Sequence, residues 1–176
     1  GRWSYTPRAG SLEIVKHVLQ PAVRYKRDEC FDLPPTMYQT REVELTKEQR
    51  EHYDKMLKHF ITDVSSGAQI TAVNEAVKMQ KLVQIACGVA YDDMGNDVEL
   101  NCKPRIQATA EIIEQAGGKV IVFVPLTGTL KMLERELSKR WEVAVVNGAV
   151  STKKRNVIFR NFQEADHPQV IIAHPA

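Results

Sequence analysis

Three short apolar runs, at residues 119–124, 143–146 and 170–173, are separated by two segments of helical periodicity. Runs of this kind lack the alternation of a strand with one wet face, so both faces need cover, which is the signature of a parallel sheet between helix layers. Upstream, Pro104 suits the first turn of a helix in which Ile106, Ala110 and Ile113 face the core, and Gly117-Gly118 stops it. A helix capped by Thr127 buries Leu130, Leu133 and Leu137, and another is capped by Ser151. The pattern β-α-β-α-β predicts an α/β fold of three layers with right-handed crossovers.

The preceding residues read differently. Ser11 caps a predicted helix with Leu12, Val15, Val18, Leu19 and Ala22 on one stripe, ending near Arg24-Tyr25-Lys26-Arg27. Leu33-Pro34-Pro35 forces extended backbone, and residues 38–45 alternate like an edge strand. Thr46 and Gln49 form a capping box before a helical stripe of Tyr53, Met56, Leu57, Phe60, Ile61 and Val64. A second helix over residues 72–86 turns Val73, Ala76, Val77, Leu82 and Val83 inward and Lys78 and Lys81 to solvent, and residues 92–97 mark a turn. The predicted division is 1–102, helices with an edge strand, and 103–176, the α/β lobe, joined in one compact unit.

With 176 residues, 43% of them hydrophobic, the chain can bury a real core. A net charge of +2 from 24 basic and 22 acidic residues announces no partner, so placement of charge must decide. Cys30, Cys87 and Cys102 are odd in number and spread out, as expected of reduced thiols. No apolar run is long enough to span a membrane, and the expected setting is the cytoplasm of a bacterium or phage-infected cell.

Two segments mimic half of a nucleotide site. Gly118-Lys119 ends like a phosphate-binding loop, but Ile113 stands in place of the first glycine and Val120 in place of the Mg²⁺-binding hydroxyl. Asp28-Glu29-Cys30-Phe31 follows a basic stretch where an acidic metal box follows an apolar strand. The five histidines have no ligand spacing with the cysteines, and no Gly-x-Ser-x-Gly elbow occurs. The loop after the first apolar run, Pro125-Leu126-Thr127-Gly128, lacks the glycine pattern of dinucleotide binders.

The anomaly lies at residues 147–155, Asn-Gly-Ala-Val-Ser-Thr-Lys-Lys-Arg. Cations in a first helical turn oppose the macrodipole. Either Lys153, Lys154 and Arg155 are simply solvated, or an external phosphate offsets the repulsion, held by them with Gly148, the Ser151 hydroxyl and the free N–H groups. Thr127 poses the same choice between capping and facing a phosphate. Trp3 and Trp141 are isolated from other aromatics, which favours packing over base stacking.

These segments resemble, from about Leu12 onward, the second lobe of Swi/Snf-type superfamily-two helicase ATPases, in the phage and bacterial branch. The carriers are Arg24-Tyr25-Lys26, Asp32-Leu33-Pro34-Pro35, Glu42-Val43-Glu44-Leu45, Thr46 with Gln49 and Tyr53, Lys81-Leu82-Val83-Gln84-Ile85 and Cys102-Lys103-Pro104. Residues 119–123 look like motif IV, Asn147-Gly148 with Ser151, Arg155 and Phe162 like the Gly-Ser, Arg and Phe pattern that follows, and residues 170–173 like the strand entering motif V. Asn147 departs from the family's Asp, and His174-Pro175 from its Ser or Thr. The resemblance implies a RecA-like lobe in which Thr127, Gly148, Ser151, Lys153, Lys154 and Arg155 face double-stranded DNA.

It further implies that ATP and Mg²⁺ serve the intact motor in a cleft shared with a first lobe. That lobe's phosphate-binding loop and acidic box, and motif VI, are not in this sequence, so the chain is expected to stop short of motifs V and VI and to be inactive alone, with no bound cofactor. The rival expectation is a non-catalytic α/β protein-interaction module that borrows the fold.

Overall fold

The computed structural model describes residues 6–22, 25, 36–64 and 67–175. They fall into two compact units, Gly1–Arg41 and Glu42–Ala176. Trp3, Cys30, the segment 28–31, Leu33-Pro34-Pro35 and the basic stretch apart from Tyr25 lie outside the described residues.

In the first unit, helix α1 spans Ser11–Val18. Its cap is Gly10, not the predicted Ser11: at φ 80° the backbone turns left-handed there, which favours glycine, and Ser11 already sits inside the helix. Its apolar residues Leu12, Ile14, Val15 and Val18 are exposed.

The strand expected at 38–45 does not form: residues 36–46 lie in no strand, and no sheet among the described residues includes them. Alternation supplies the side-chain pattern of a strand, but a strand exists only by hydrogen bonding to a neighbour.

The second unit opens with helix α2, Lys47–His59. Its capping box is complete: Gln49 N donates to Thr46 Oγ1 at 3.2 Å and Thr46 N to Gln49 Oε1 at 3.3 Å. Phe60, at φ 61°, ends the helix earlier than the apolar stripe suggests, so Ile61 begins strand β1, Ile61–Asp63, paired antiparallel with β2, Gln69–Thr71. Helix α3, Glu75–Cys87, is capped by Asn74, whose Oδ1 accepts from Val77 N at 2.9 Å.

Several side chains of this region are reversed from expectation. Val73 precedes the cap and is 83% exposed, and Val83 is also exposed. Lys78 is buried, with its ammonium 2.7 Å from Glu75 and 4.2 Å from the centre of the Phe60 ring. Lys81 is half-buried and donates to Tyr91 O at 2.6 Å; burial pushes its ammonium below the usual lysine value.

Strands β3, Val89–Tyr91, and β4, Asp97–Glu99, form a hairpin whose turn is held by Asp92. Met56, Ile70, Leu82, Ile85, Ala90, Val98 and Leu100 make one core. Gly88, at φ 88°, ends α3 where Cys102 presses on the backbone, so that a β-carbon would stand 2.4 Å from its sulfur.

The α/β part begins with helix α4, Lys103–Ala116, which has proline in its first turn and stops at left-handed Gly117. Strands β5 (Val120–Phe123), β6 (Val143–Val146) and β7 (Val170–Ala173) then alternate with helices α5 (Thr127–Leu137) and α6 (Thr152–Glu164). The sheet is parallel in the order β5-β7-β6. Parallel strands need crossover connections, which place the helices on the sheet faces.

Ala110, Ile113, Leu130, Leu133 and Leu137 cover the face of Val120, Val122, Val170 and Ile172, with Trp141 packed at its margin. Ile158 and Phe162 cover the opposite face at Ala144, Val146, Ile171 and Ala173. The expected three layers result. Burying each such aliphatic side chain contributes about 1.5–3 kcal/mol.

Strand β5 departs from the expected burial. Among the described residues it is an edge strand, paired on one side only, and Ile121 and Phe123 are 40% and 69% exposed. Among the described residues no helix is long and apolar enough to cross a membrane.

Candidate nucleic-acid interface

All three strands run the same way, so the segments leaving β5, β6 and β7 emerge on one edge of the sheet. Ligands of open parallel sheets bind outside that carboxyl edge. Every predicted site residue lies there.

Strand β6 leads into Asn147, whose Oδ1 accepts from Ala149 N at 3.0 Å while its main-chain carbonyl accepts from Val150 N at 3.1 Å. The asparagine thus builds the turn by itself. Gly148 is exposed with no atom near a β-carbon position, so the turn leaves its outer side open. Ser151 caps α6 as predicted, accepting from Lys154 N at 3.4 Å.

The first turn of α6 holds no acidic residue. Lys153 and Lys154 are exposed and Arg155 is half-buried. Arg155 Nε is shielded from solvent without a partner, and none of the three cations joins an ion pair among the described residues. Dipole and side chains therefore add to a single positive end.

Thr127 is exposed at the same edge, one strand beyond β7. It does not cap α5. The N-cap position falls on Leu126, and Thr127 is the first helical residue, where its hydroxyl cannot take the N-cap role. The structure thus joins Gly148, Ser151, Lys153, Lys154 and Arg155 in one continuous turn and leaves Thr127 in a separate one across β7.

The sequence pattern does not reveal what holds that second turn in place. Gly128 N donates to the Tyr91 hydroxyl at 3.3 Å, Lys131 pairs with Asp97 at 3.0 Å, and Arg135 grips Glu99 through two hydrogen bonds of 2.8 and 2.7 Å. The bidentate guanidinium holds the Glu99 carboxyl below the usual glutamate range. Positions 128, 131 and 135 share one helix face, which is the only signal the sequence offers. Their partners come from a hairpin far away in the chain.

Lys119 is unavailable at this edge. It donates to the carbonyls of Phe162 and Ala165 at the far end of α6, which satisfies main-chain groups that the helix leaves open. Among the described residues no group of three or more His, Cys, Asp or Glu side chains is placed to hold a metal ion.

Residues 104–176 match the family described as the helicase conserved C-terminal domain. Among relatives, protein p41 of Acyrthosiphon pisum secondary endosymbiont phage 1 is 34% identical over 93 residues, 52% of this chain and 20% of p41. An ATP-dependent helicase of Mycoplasma genitalium is 28% identical over 154 residues, 85% of this chain and 15% of the helicase. The chain thus spans a fifth or less of each relative.

Two solved structures share the fold. The Sulfolobus solfataricus SWI2/SNF2 ATPase C-terminal domain superposes with TM-score 0.57 at 23% identity, covering 75% of this chain and 60% of that one. The same organism's SWI2/SNF2 ATPase core in complex with dsDNA gives 0.58 at 21%, covering 92% and 36%. Residues 104–176, the part with α/β/α layering, thus match the helicase conserved C-terminal domain and share the fold of these SWI2/SNF2 structures.

Proposed function

We propose that this lobe serves an ATP-dependent motor that moves along double-stranded DNA, and that Thr127, Gly148, Ser151, Lys153, Lys154 and Arg155 face the DNA phosphate backbone. The observation that carries the reading is the start of α6: a serine-capped turn with free main-chain donors and three cations that no acidic residue offsets. Left alone, that arrangement is repulsive; a phosphate at the helix start makes it favourable. A SWI2/SNF2 core of this fold has been solved with dsDNA, which supports the choice of ligand. In this reading residues 103–176 are the motor lobe, residues 1–102 its accessory part, and the working site is cytoplasmic.

ATP and Mg²⁺ belong to the intact motor, between this lobe and a first lobe. Phosphoryl transfer requires a phosphate-binding lysine, Mg²⁺ and an arginine finger. Lys119, which follows a glycine pair as in a phosphate-binding loop, is engaged at the opposite edge by main-chain carbonyls. In this reading the chain supplies grip on the backbone, by contacts that do not depend on sequence, and one side of the ATP cleft.

Fluorescence anisotropy of a labelled duplex, titrated with the chain over a range of salt, tests the proposal. Replacing Lys154 and Arg155 by Ala is expected to weaken binding equally for unrelated sequences and to flatten the log–log salt slope by about 1–2, roughly 0.9 for each phosphate no longer neutralised. An unchanged slope would return the turn to ordinary solvent and favour a protein-interaction role.

A further inference from the structure

The hydrogen-bond ladder between β5 and β7 ends with Val124 N donating to Ala173 O at 2.9 Å. Pro125 follows, and a proline has no N–H with which to continue. The next link is made by a side chain: His174 Nε2 lies 3.1 Å from Pro125 O. On the other flank the His174 main-chain N–H donates to Val146 O at 2.9 Å, just before the Asn147 turn. One half-buried residue at the end of the central strand is thereby bonded both to the loop that opens α5 and to the strand end that precedes the α6 turn.

A carbonyl oxygen only accepts, so the bond to Pro125 requires the hydrogen on Nε2. That fixes the neutral ring as the Nε2–H tautomer, with its lone pair on Nδ1. Beyond the Val124–Ala173 link, no other hydrogen bond among the described residues ties this loop to the central strand. We infer that His174 is a positioning residue: its imidazole locks the loop carrying Thr127 to the end of β7 and so sets the spacing between the two helix starts that present the phosphate contacts. The inference rests on the DNA-backbone reading above and extends it to a residue that need not touch the DNA.

The 176-residue chain is compared with His174→Ala and His174→Gln, the second of which keeps an N–H donor. Three readouts are used: ring ¹⁵N–¹H correlation, amide hydrogen exchange at residues 126–129, and duplex anisotropy against salt, with thermal unfolding to confirm that each variant is folded. The ring should show the Nε2–H tautomer. His174→Ala should raise exchange in the loop and weaken duplex affinity about fivefold, the scale of one hydrogen bond's net contribution, at unchanged salt slope, and His174→Gln should restore most of both. An unchanged slope separates a shifted loop from a missing phosphate partner.

The Nδ1–H tautomer, unaltered loop exchange in His174→Ala, or no restoration by a folded His174→Gln would overturn the inference while leaving the effect of Lys154 and Arg155 on binding intact. Loop exchange that responds in a chain that binds no duplex would instead sink the DNA reading, and with it the functional role given to His174.

Discussion

Gly128 and Val89 meet so closely that a β-carbon on the glycine would stand 2.6 Å from a Val89 methyl group and 3.3 Å from an Asp97 carboxylate oxygen. The contact sets the first turn of α5 directly on the β3–β4 hairpin, where Val89 is almost wholly buried. The docking fixes the helix side of the turn that carries Thr127, the preceding residue.

Gly128→Ala is therefore expected to destabilise the protein by about 1–3 kcal/mol, the usual cost of overfilling a packed contact. Alanine's better helix propensity returns less than about 1 kcal/mol. Urea unfolding of the variant measures the difference, and a change within experimental error would mean that the hairpin moves aside freely.

Gln49 is almost wholly buried, and its Nε2 donates to Ile85 O at 2.8 Å and Ala86 O at 3.3 Å at the end of α3. Gln49→Ala removes both the capping box and the donor to these two carbonyls. The expected loss is about 1–3 kcal/mol, chiefly the cost of unsatisfied buried acceptors. Calorimetric unfolding would show it, and a change within experimental error would mean that water reaches the two carbonyls.

Glu99 has its carboxyl pKa lowered in the folded state by the Arg135 guanidinium. The stabilisation it provides is present above the unfolded-state value and is lost as the pH falls through the lower folded value. Glu99→Gln should accordingly lower the unfolding midpoint at neutral pH, and the gap to the unaltered chain should close as the pH drops below about 4.3. Both side chains are largely solvated, so the effect should be small and should shrink with added salt. A gap that widens in acid would contradict the pairing.

Ser151→Ala should cost about 0.5–1 kcal/mol, the lower part of the N-cap range, because the capping bond is long at 3.4 Å. Ser151→Asp restores the cap and adds a negative charge at the proposed phosphate position. It should recover stability in a denaturant titration while binding duplex DNA more weakly than Ser151→Ala does, a divergence that a purely structural serine would not produce.

The chain alone is expected to release no phosphate from ATP above the buffer rate, with or without duplex DNA. The sequence shows neither a phosphate-binding loop nor an acidic box, and Lys119 is occupied by main-chain carbonyls. A coupled phosphate-release assay showing DNA-stimulated turnover would demand a nucleotide site in the chain itself.

Features set by residues three or four apart are legible in the sequence alone. Thr46 with Gln49 and Ser151 with Lys154 close hydrogen bonds within one helical turn, so the chain needs no distant partner to make them. The basic turn at 153–155 is readable for the same reason, and the three apolar strands because their runs are continuous. Ser11 fails as a cap because a glycine in the left-handed region occupies the preceding position. The alternation over 38–45 is real, but no strand among the described residues lies beside it to make it one.

Lys78 shows the limit most plainly. Helical periodicity puts it in solvent beside Lys81; its burial depends on Phe60, Leu57 and Glu75 converging on its stem and ammonium. The grip of Tyr91, Asp97 and Glu99 on α5 is equally out of reach of periodicity, since it spans 34 to 37 residues of chain.

By itself, then, the sequence determined the elements whose stabilising contacts are local or periodic: the capped helices, the apolar strands that demand cover, and a positive helix start that invites an anion. Only the tertiary structure decided which strand lies centrally, how the hairpin seats Thr127, and that His174 ties one loop to the next. Those choices depend on contacts between segments far apart in the chain, whose energies arise only once the core has brought the segments together.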